Sequence, residues 1–424
     1  MRNEYQSKLL QESYIRVTHS SGLTIYIYPS VESSSISAYL AVNYGAADSV
    51  IKDKGKKKKL PEGIAHLIEH FIFEDSAENK TLFSSTGAIA NAYCAYDRTV
   101  YYFSCGDKYK ESLRILLKSV TNPIFSTKLL NSVKGVVIQE IKLYQNNPSW
   151  LLDMNLNKCL YHSHAIKSDI AGTEKSVNDI GLEILTKAYS VAYKPENMVL
   201  VVMGNCEEES IIQVVDEYFK KTSIEAELEL LCDEKEPETV KEHLAVCEAN
   251  NIYTAMFAIG FKDMLLDGSQ SFYNTLLDEF IAGMLIGEIT PTFQDLYTNG
   301  YINSSLIHEN LFSRNCIVNK IRGESENPNN AIDIINKAID DKKRNGVDSS
   351  LFEICKKEMI GRLIYYFDDM SILANYLILS HFNGINVYTL LDYIRNVNVD
   401  QVNSRLQKAF NPEMSALSIV RPMQ

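Results

Sequence analysis

The sequence has no uninterrupted apolar run approaching the roughly 18 residues that a membrane-spanning helix needs. It has no CxxC pair either. Its eight cysteines, at 94, 105, 159, 206, 232, 247, 316 and 355, are scattered, which excludes a disulfide-rich secreted framework and fits a reducing compartment. Positive charge is short: 42 Lys and Arg against 54 Asp and Glu give a formal net charge of -12, the wrong sign for neutralising phosphates. Neither a nucleic-acid partner nor a membrane partner is expected. The one basic run, Lys52 to Lys59, reads as a solvated loop. Met1 to Arg16 carries Glu4 and Glu12 where a signal peptide needs an apolar core, and it lacks the Arg/Ser-rich, acid-poor makeup of a transit peptide. A cytoplasmic protein is the expectation.

What is present is the composition of a soluble globular chain, 46% apolar and 23% charged over 424 residues, more than one hydrophobic core usually organises. Leu23 to Tyr28 and Ser37 to Val42 alternate like the two strands of a hairpin, and Ala92 to Phe103 is strand-like. Apolar residues recur at three and four over 109–120 and from Leu129 to Tyr144, which predicts two amphipathic helices ended by Asn122-Pro123 and Asn147-Pro148. Asn197 to Gly204 suits a buried strand. An acidic stretch then interrupts the pattern before a similar rhythm returns: a strand at 254–261, a helix near 270–290, strands around 304 and 316, helices over 330–343 and 349–367, and a strand at 416–420. The expected fold is α+β, with two pseudo-repeated domains, 1–225 and 245–424, joined by an acidic linker at 226–244. Each would be an antiparallel-rich sheet packed with helices, and the pair would close like a clam over a peptide cleft.

The chemistry concentrates in His66-Leu67-Ile68-Glu69-His70. On a helix the two histidines lie one turn apart on one face, with Glu69 beside them. Two imidazoles so placed bind one metal, and the carboxylate takes a proton from an activated water; this order, HxxEH, is the inverzincin signature. Ile64, Leu67, Ile68, Phe71, Ile72 and Phe73 make the segment apolar nearly all round, so the three polar residues are expected to be buried together, a cost that a metal resolves. A catalytic zinc site needs a third protein ligand. Glu140 is the best candidate because Val136, Val137, Leu143 and Tyr144 place it on an apolar helix face. His162 and His164, on a polar and apparently extended segment, are its rivals.

Further segments carry a resemblance: Glu62 to His70, Gly87 to Tyr93, Asp97 to Tyr101, Lys134 to Ile141, and Gly172-Thr173. Together they resemble the pitrilysin/insulinase family of inverzincin zinc metallopeptidases, and within it the short two-domain bacterial branch related to the mitochondrial processing peptidase. The resemblance implies one zinc per chain on His66, His70 and Glu140, with Glu69 as general base. It also implies a substrate that adds as a strand beside Asn91, Ala92 and Tyr93, with Phe73 lining the site. Leader or precursor peptides are one substrate class it implies.

Three positions depart from the family pattern. Cys94 stands where a Thr is usual, and Val133 stands where a second Glu is usual, seven residues before Glu140. In self-sufficient members an Arg and a Tyr seven residues apart hold the substrate carbonyl, and here Leu296 and Asn303 occupy those places. This resembles the catalytic subunit of a heterodimer whose homologous partner supplies the Arg/Tyr pair. The rival reading is a non-hydrolytic, zinc-binding scaffold or peptide-binding subunit.

Overall fold

A computed structural model describes residues 1–31, 33–53, 56–73, 77–219, 228–231, 236–263, 268–303, 306–313 and 316–423. The N-terminal half runs β1 (Arg2–Ser7), β2 (Glu12–Thr18), β3 (Thr24–Pro29), β4 (Ile36–Val42), β5 (Val50–Asp53), β6 (Lys56–Lys59), α1 (Ile64–Phe73), α2 (Ala77–Ser85), β7 (Ile89–Cys94), β8 (Thr99–Cys105), α3 (Tyr109–Thr121), α4 (Thr127–Tyr144), α5 (Pro148–Leu160), α6 (Glu174–Asp179), α7 (Leu182–Ala192), β9 (Met198–Gly204) and α8 (Glu208–Tyr218). The C-terminal half runs β10 (Leu228–Leu231), β11 (Leu244–Ala249), β12 (Ala255–Asp263), α9 (Gly268–Ile286), α10 (Pro291–Thr298), β13 (Ile307–Ser313), β14 (Cys316–Ser325), α11 (Pro328–Asn345), α12 (Ser349–Asp368), α13 (Met370–Phe382), α14 (Thr389–Asn396), α15 (Val399–Ala409) and β15 (Ser415–Pro422).

Two principal sheets organise these elements. One has the order β1-β2-β3-β9-β4-β8-β7 and the other β11-β15-β12-β14-β13. The last five strands of the first sheet repeat the topology of the second. In each, the first strand of the set lies parallel to the last, and every other pairing is antiparallel. The α+β fold with two pseudo-repeated sheets is therefore present, carried by topology rather than by residue identity. The hairpin expected at Leu23–Val42 is not formed. β9, buried along its whole length, inserts between β3 and β4, because a strand apolar on both faces is stable only between two neighbours.

The compact units are not contiguous in sequence. One comprises Met1–Ile141, Asp169–Asp233 and Tyr366–Tyr388, and the other Lys142–Ser168, Glu234–Tyr365 and Thr389–Gln424. Helix α5, from the N-terminal half, packs on β11, β12 and β15, and α13, from the C-terminal half, packs on β4 and β9. The division at 226–244 does not foresee this exchange. A sheet with helices on one face leaves a second apolar face to cover, and each sheet takes its cover from the other half of the chain. Of the expected linker, 226–227 and 232–235 lie outside the described residues. Of the basic run Lys52–Lys59, Lys56–Lys59 are exposed as expected but form strand β6 rather than a loop, and 54–55 lie outside the described residues.

Gly260 shows how closely α5 is seated. A Cβ at this position would lie 2.9 Å from side-chain atoms of Leu156 and Leu160. Gly260→Val is therefore expected to lower stability by about 1–3 kcal/mol, the usual cost of overpacking, as a fall in the urea midpoint at unchanged slope.

Candidate metal centre

Helix α1 begins where the chain turns through Gly63 at φ +84°. A Cβ there would sit 2.3 Å from the carbonyl oxygen of Ala171, so a side chain is excluded both by conformation and by the packed backbone of 171–172. All ten residues from Ile64 to Phe73 are buried, including His66, Glu69 and His70. The helix lies in the apolar core of its unit, among residues of β3, β4, β8, α3, α4 and α7.

Three ligating atoms converge there. His66 Nε2 and His70 Nε2 are 3.2 Å apart, and Glu140 Oε2 of α4 lies 3.1 Å from His70 Nε2 and 3.7 Å from His66 Nε2. A tetrahedral zinc with ligands at about 2.0–2.1 Å separates them by about 3.3 Å, so the two nitrogens and the oxygen form a triangle of the size zinc requires. Burial, then the neighbouring His70, holds His66 down at a pKa of about 4, against an opposing pull from Glu140. His66 is therefore the neutral imidazole a metal ligand must be at physiological pH. Glu69 is buried beside the triangle, its Oε2 3.8 Å from His66 Nε2, and its ligating atom lies within 4.8 Å of those of both histidines.

Glu140 reaches this place for a reason other than the one the sequence offered. Of the four neighbours expected to form its apolar face, Val137 is buried but Val136, Leu143 and Tyr144 are exposed. The buried stripe of α4 is Leu130, Val133, Val137 and Ile141, and Glu140 stands at its margin with its side chain 26% exposed. Val133, in place of the family's second acid, belongs to that stripe.

Tyr101 and Tyr193 share a 2.7 Å hydroxyl hydrogen bond, and both rings are buried. Burial raises the Cys94 thiol well above its ordinary pKa, with Glu69 among the charges adding to the shift, so Cys94 is a neutral neighbour of the site. No sequence signal pointed to Tyr193. It joins through the tertiary packing alone.

Strand β7 is a terminal strand of its sheet and, among the described residues, pairs only with β8. Its side chains alternate. Ala90, Ala92 and Cys94 face the core that holds α1, and Asn91 and Tyr93 face the opposite side. Phe73, expected to line a substrate site, is buried with its ring 5.7 Å from Phe83 and 6.0 Å from Tyr101.

The rival ligands His162 and His164 belong to the other compact unit. Their backbone N–H groups, with that of Ser163, donate to the Glu236 carboxylate, which also takes a 2.7 Å bond from Lys262 Nζ. His164 Nδ1 in turn accepts from Ile166 N. This is an anchoring loop. Although burial opposes it, the hydrogen bonds from Lys262 and the three backbone groups hold the Glu236 carboxyl down at about 2. A carboxyl depressed in the fold stabilises it above its unfolded pKa, and that contribution is lost as the pH falls from about 4.5 towards 2. Glu236→Gln should therefore lower stability at pH 7 and leave a shallower acid transition between those limits, read by circular dichroism. Metal content tests the ligand assignment: His70→Ala and Glu140→Ala should each lose bound zinc by mass spectrometry of the dialysed protein, and His164→Ala should retain it.

Comparison with known proteins places this geometry. The family model for insulinase (peptidase family M16) matches residues 56–174, and that for the peptidase M16 inactive domain matches 179–359. An uncharacterised zinc protease of Bacillus subtilis (strain 168), YmfH, is 27% identical over 418 residues, 96% of this chain and 95% of its own. A second from the same organism, YmxG, is 24% identical over 383 residues, 87% of this chain and 91% of its own. A solved structure described as an M16-like peptidase, from Alicyclobacillus acidocaldarius, shares the fold with a TM-score of 0.92 at 24% identity, covering 97% of this chain and 98% of that one. The two family models together with these full-length likenesses establish that the chain belongs to the pitrilysin/insulinase family, M16, of metallopeptidases.

Proposed function

We propose that this chain is the zinc- and base-bearing subunit of an endopeptidase acting on peptides, with leader or precursor peptides as one class of substrate. The observation that carries the reading is the triangle of His66 Nε2, His70 Nε2 and Glu140 Oε2, with sides of 3.1–3.7 Å and a buried Glu69 beside it. These three residues would hold one zinc ion per chain. When bound, zinc supplies Lewis acidity towards a carbonyl oxygen and lowers the pKa of the attacking water.

The protein's own residues do the rest. Glu69 Oε2 takes the proton of the attacking water and returns it to the leaving amine. The free edge of β7 pairs with the main chain of an extended peptide, which binds without reading side chains and suits a broad substrate range. Donors for the developing oxyanion would come from a homologous partner. Leu296 is fully buried and carries no donor, and Asn303 Nδ2 is turned to Thr254 Oγ1 at 3.5 Å. The seven cysteines among the described residues are free thiols, which supports work in the cytoplasm.

The test is hydrolysis of fluorogenic peptides by the zinc-loaded protein, alone and mixed with a homologue that lacks HxxEH and carries the Arg/Tyr pair. Glu69→Gln is expected to keep its zinc and lose activity by about 10²–10⁴-fold, the usual worth of a general base. Activity should rise on mixing. Wild-type protein that matches Glu69→Gln under both conditions would overturn the enzyme reading in favour of a scaffold.

A further inference from the structure

Tyr93 stands in the strand expected to meet substrate, yet its hydroxyl is committed elsewhere. It donates to Asn375 Oδ1 of α13 at 2.5 Å. The amide of Asn375 is itself oriented, because its Nδ2 donates to Ser371 O at 3.0 Å, which points Oδ1 at the phenol. Arg98, at the β7–β8 turn, is held by Asp97 at 2.7 Å. The turn is closed by Ala95 N donating to Arg98 O at 2.7 Å. A polar chain thus runs from Tyr93 through Asn375 to Ser371. The Tyr93 ring also meets Tyr102 edge-on at 6.5 Å, and Tyr102 stacks on Tyr39 at 5.3 Å, which fixes the ring from the sheet side.

We propose that Asn375 is a positioning residue that locks Tyr93, and through it the edge strand β7, in the conformation with which a peptide pairs. The inference rests on the reading that β7 is the peptide-binding edge, and it deepens that reading by removing the Tyr93 side chain from the set of substrate contacts. An edge strand is tied to the sheet on one side only and frays more readily than an inner strand. A frayed edge must be ordered at the moment of binding, and that entropy is charged against affinity. The hydrogen bond from Tyr93 to a helix supplied by the C-terminal half of the chain lowers that cost beforehand. The hydrogen bonds of Asn375 among the described residues go to Tyr93 and Ser371, so its effect on β7 passes through Tyr93.

Three variants test the lock in the zinc-loaded protein: Asn375→Leu, which removes the acceptor; Asn375→Asp, which keeps it; and Tyr93→Phe, which removes the donor. Asn375→Leu and Tyr93→Phe are each expected to raise KM by about 5- to 30-fold, the effect of breaking one partly buried hydrogen bond, with kcat within about threefold and zinc content unchanged. Asn375→Asp should restore KM, and the double variant Tyr93→Phe/Asn375→Leu should be no worse than either single one, since both delete the same bond. Hydrogen–deuterium exchange supplies the arm that needs no turnover: in Asn375→Leu, exchange should quicken over residues 89–105 and stay unchanged in the rest of the protein. An unchanged KM, an additive double variant, or exchange that quickens everywhere alike would overturn the proposal. A wild-type protein that cleaves no peptide would instead overturn the function proposed above, and the selective loosening of 89–105, present or absent, would still decide whether the lock exists.

Discussion

Desolvation of the groups on α1 is the constraint on which the site depends. Two imidazoles and a carboxylate are carried by a ten-residue helix with every residue buried, and a second carboxylate meets them from α4. In such surroundings a charge without a counter-charge is costly, which is why His66 is held neutral. Neutral imidazoles and carboxylates aimed at one point are the donor set for a divalent cation, and zinc fits its dimensions. The apolar core does two jobs here. It fixes the donors in place and makes an empty donor set unfavourable.

That core requires a scaffold able to bury a whole helix, and the scaffold is a sheet covered on both faces. β9 is inserted between β3 and β4, so the strands under α1 have neighbours on both sides as far as β8. Beyond β8, β7 closes this end of the row. The strand packed against α1 is thus also a terminal strand of its sheet. The opposite face of the same sheet is covered by α13. A helix encoded far downstream thereby acquires a contact, Asn375 to Tyr93, with the edge strand.

Much of this was legible in the residues. The helical spacing of 109–120 and 129–144 corresponds to α3 and α4, and the β-branched run at 198–203 is the buried strand β9. Periodicity reports which residues of one element share a face, but it says nothing about which element lies opposite. The hairpin expected at Leu23–Val42 failed for that reason, as did the apolar face assigned around Glu140. Val136 and Leu143 have the composition of core residues, yet they stand on the flank of α4 that faces away from the core. Phe73, expected as a wall of the site, is as buried as the site's own residues, with the rings of Phe83 and Tyr101 beside it.

By itself the sequence determined the chemistry: a spacing of three and four residues puts His66, Glu69 and His70 on one face of any helix they form, and covalent geometry guarantees it. Only the tertiary structure decided what completes that chemistry. Glu140 is 70 residues from His70 along the chain, and its carboxylate comes within 3.1 Å because α4 buries a different face against the same core. His162 and His164, nearer to Glu140 in sequence than His70 is, are tied to Glu236 in the other compact unit. The difference is physical. Neighbours on one helix are set by backbone periodicity, whereas partners on separate elements are set by which apolar surfaces the whole chain can bury at once.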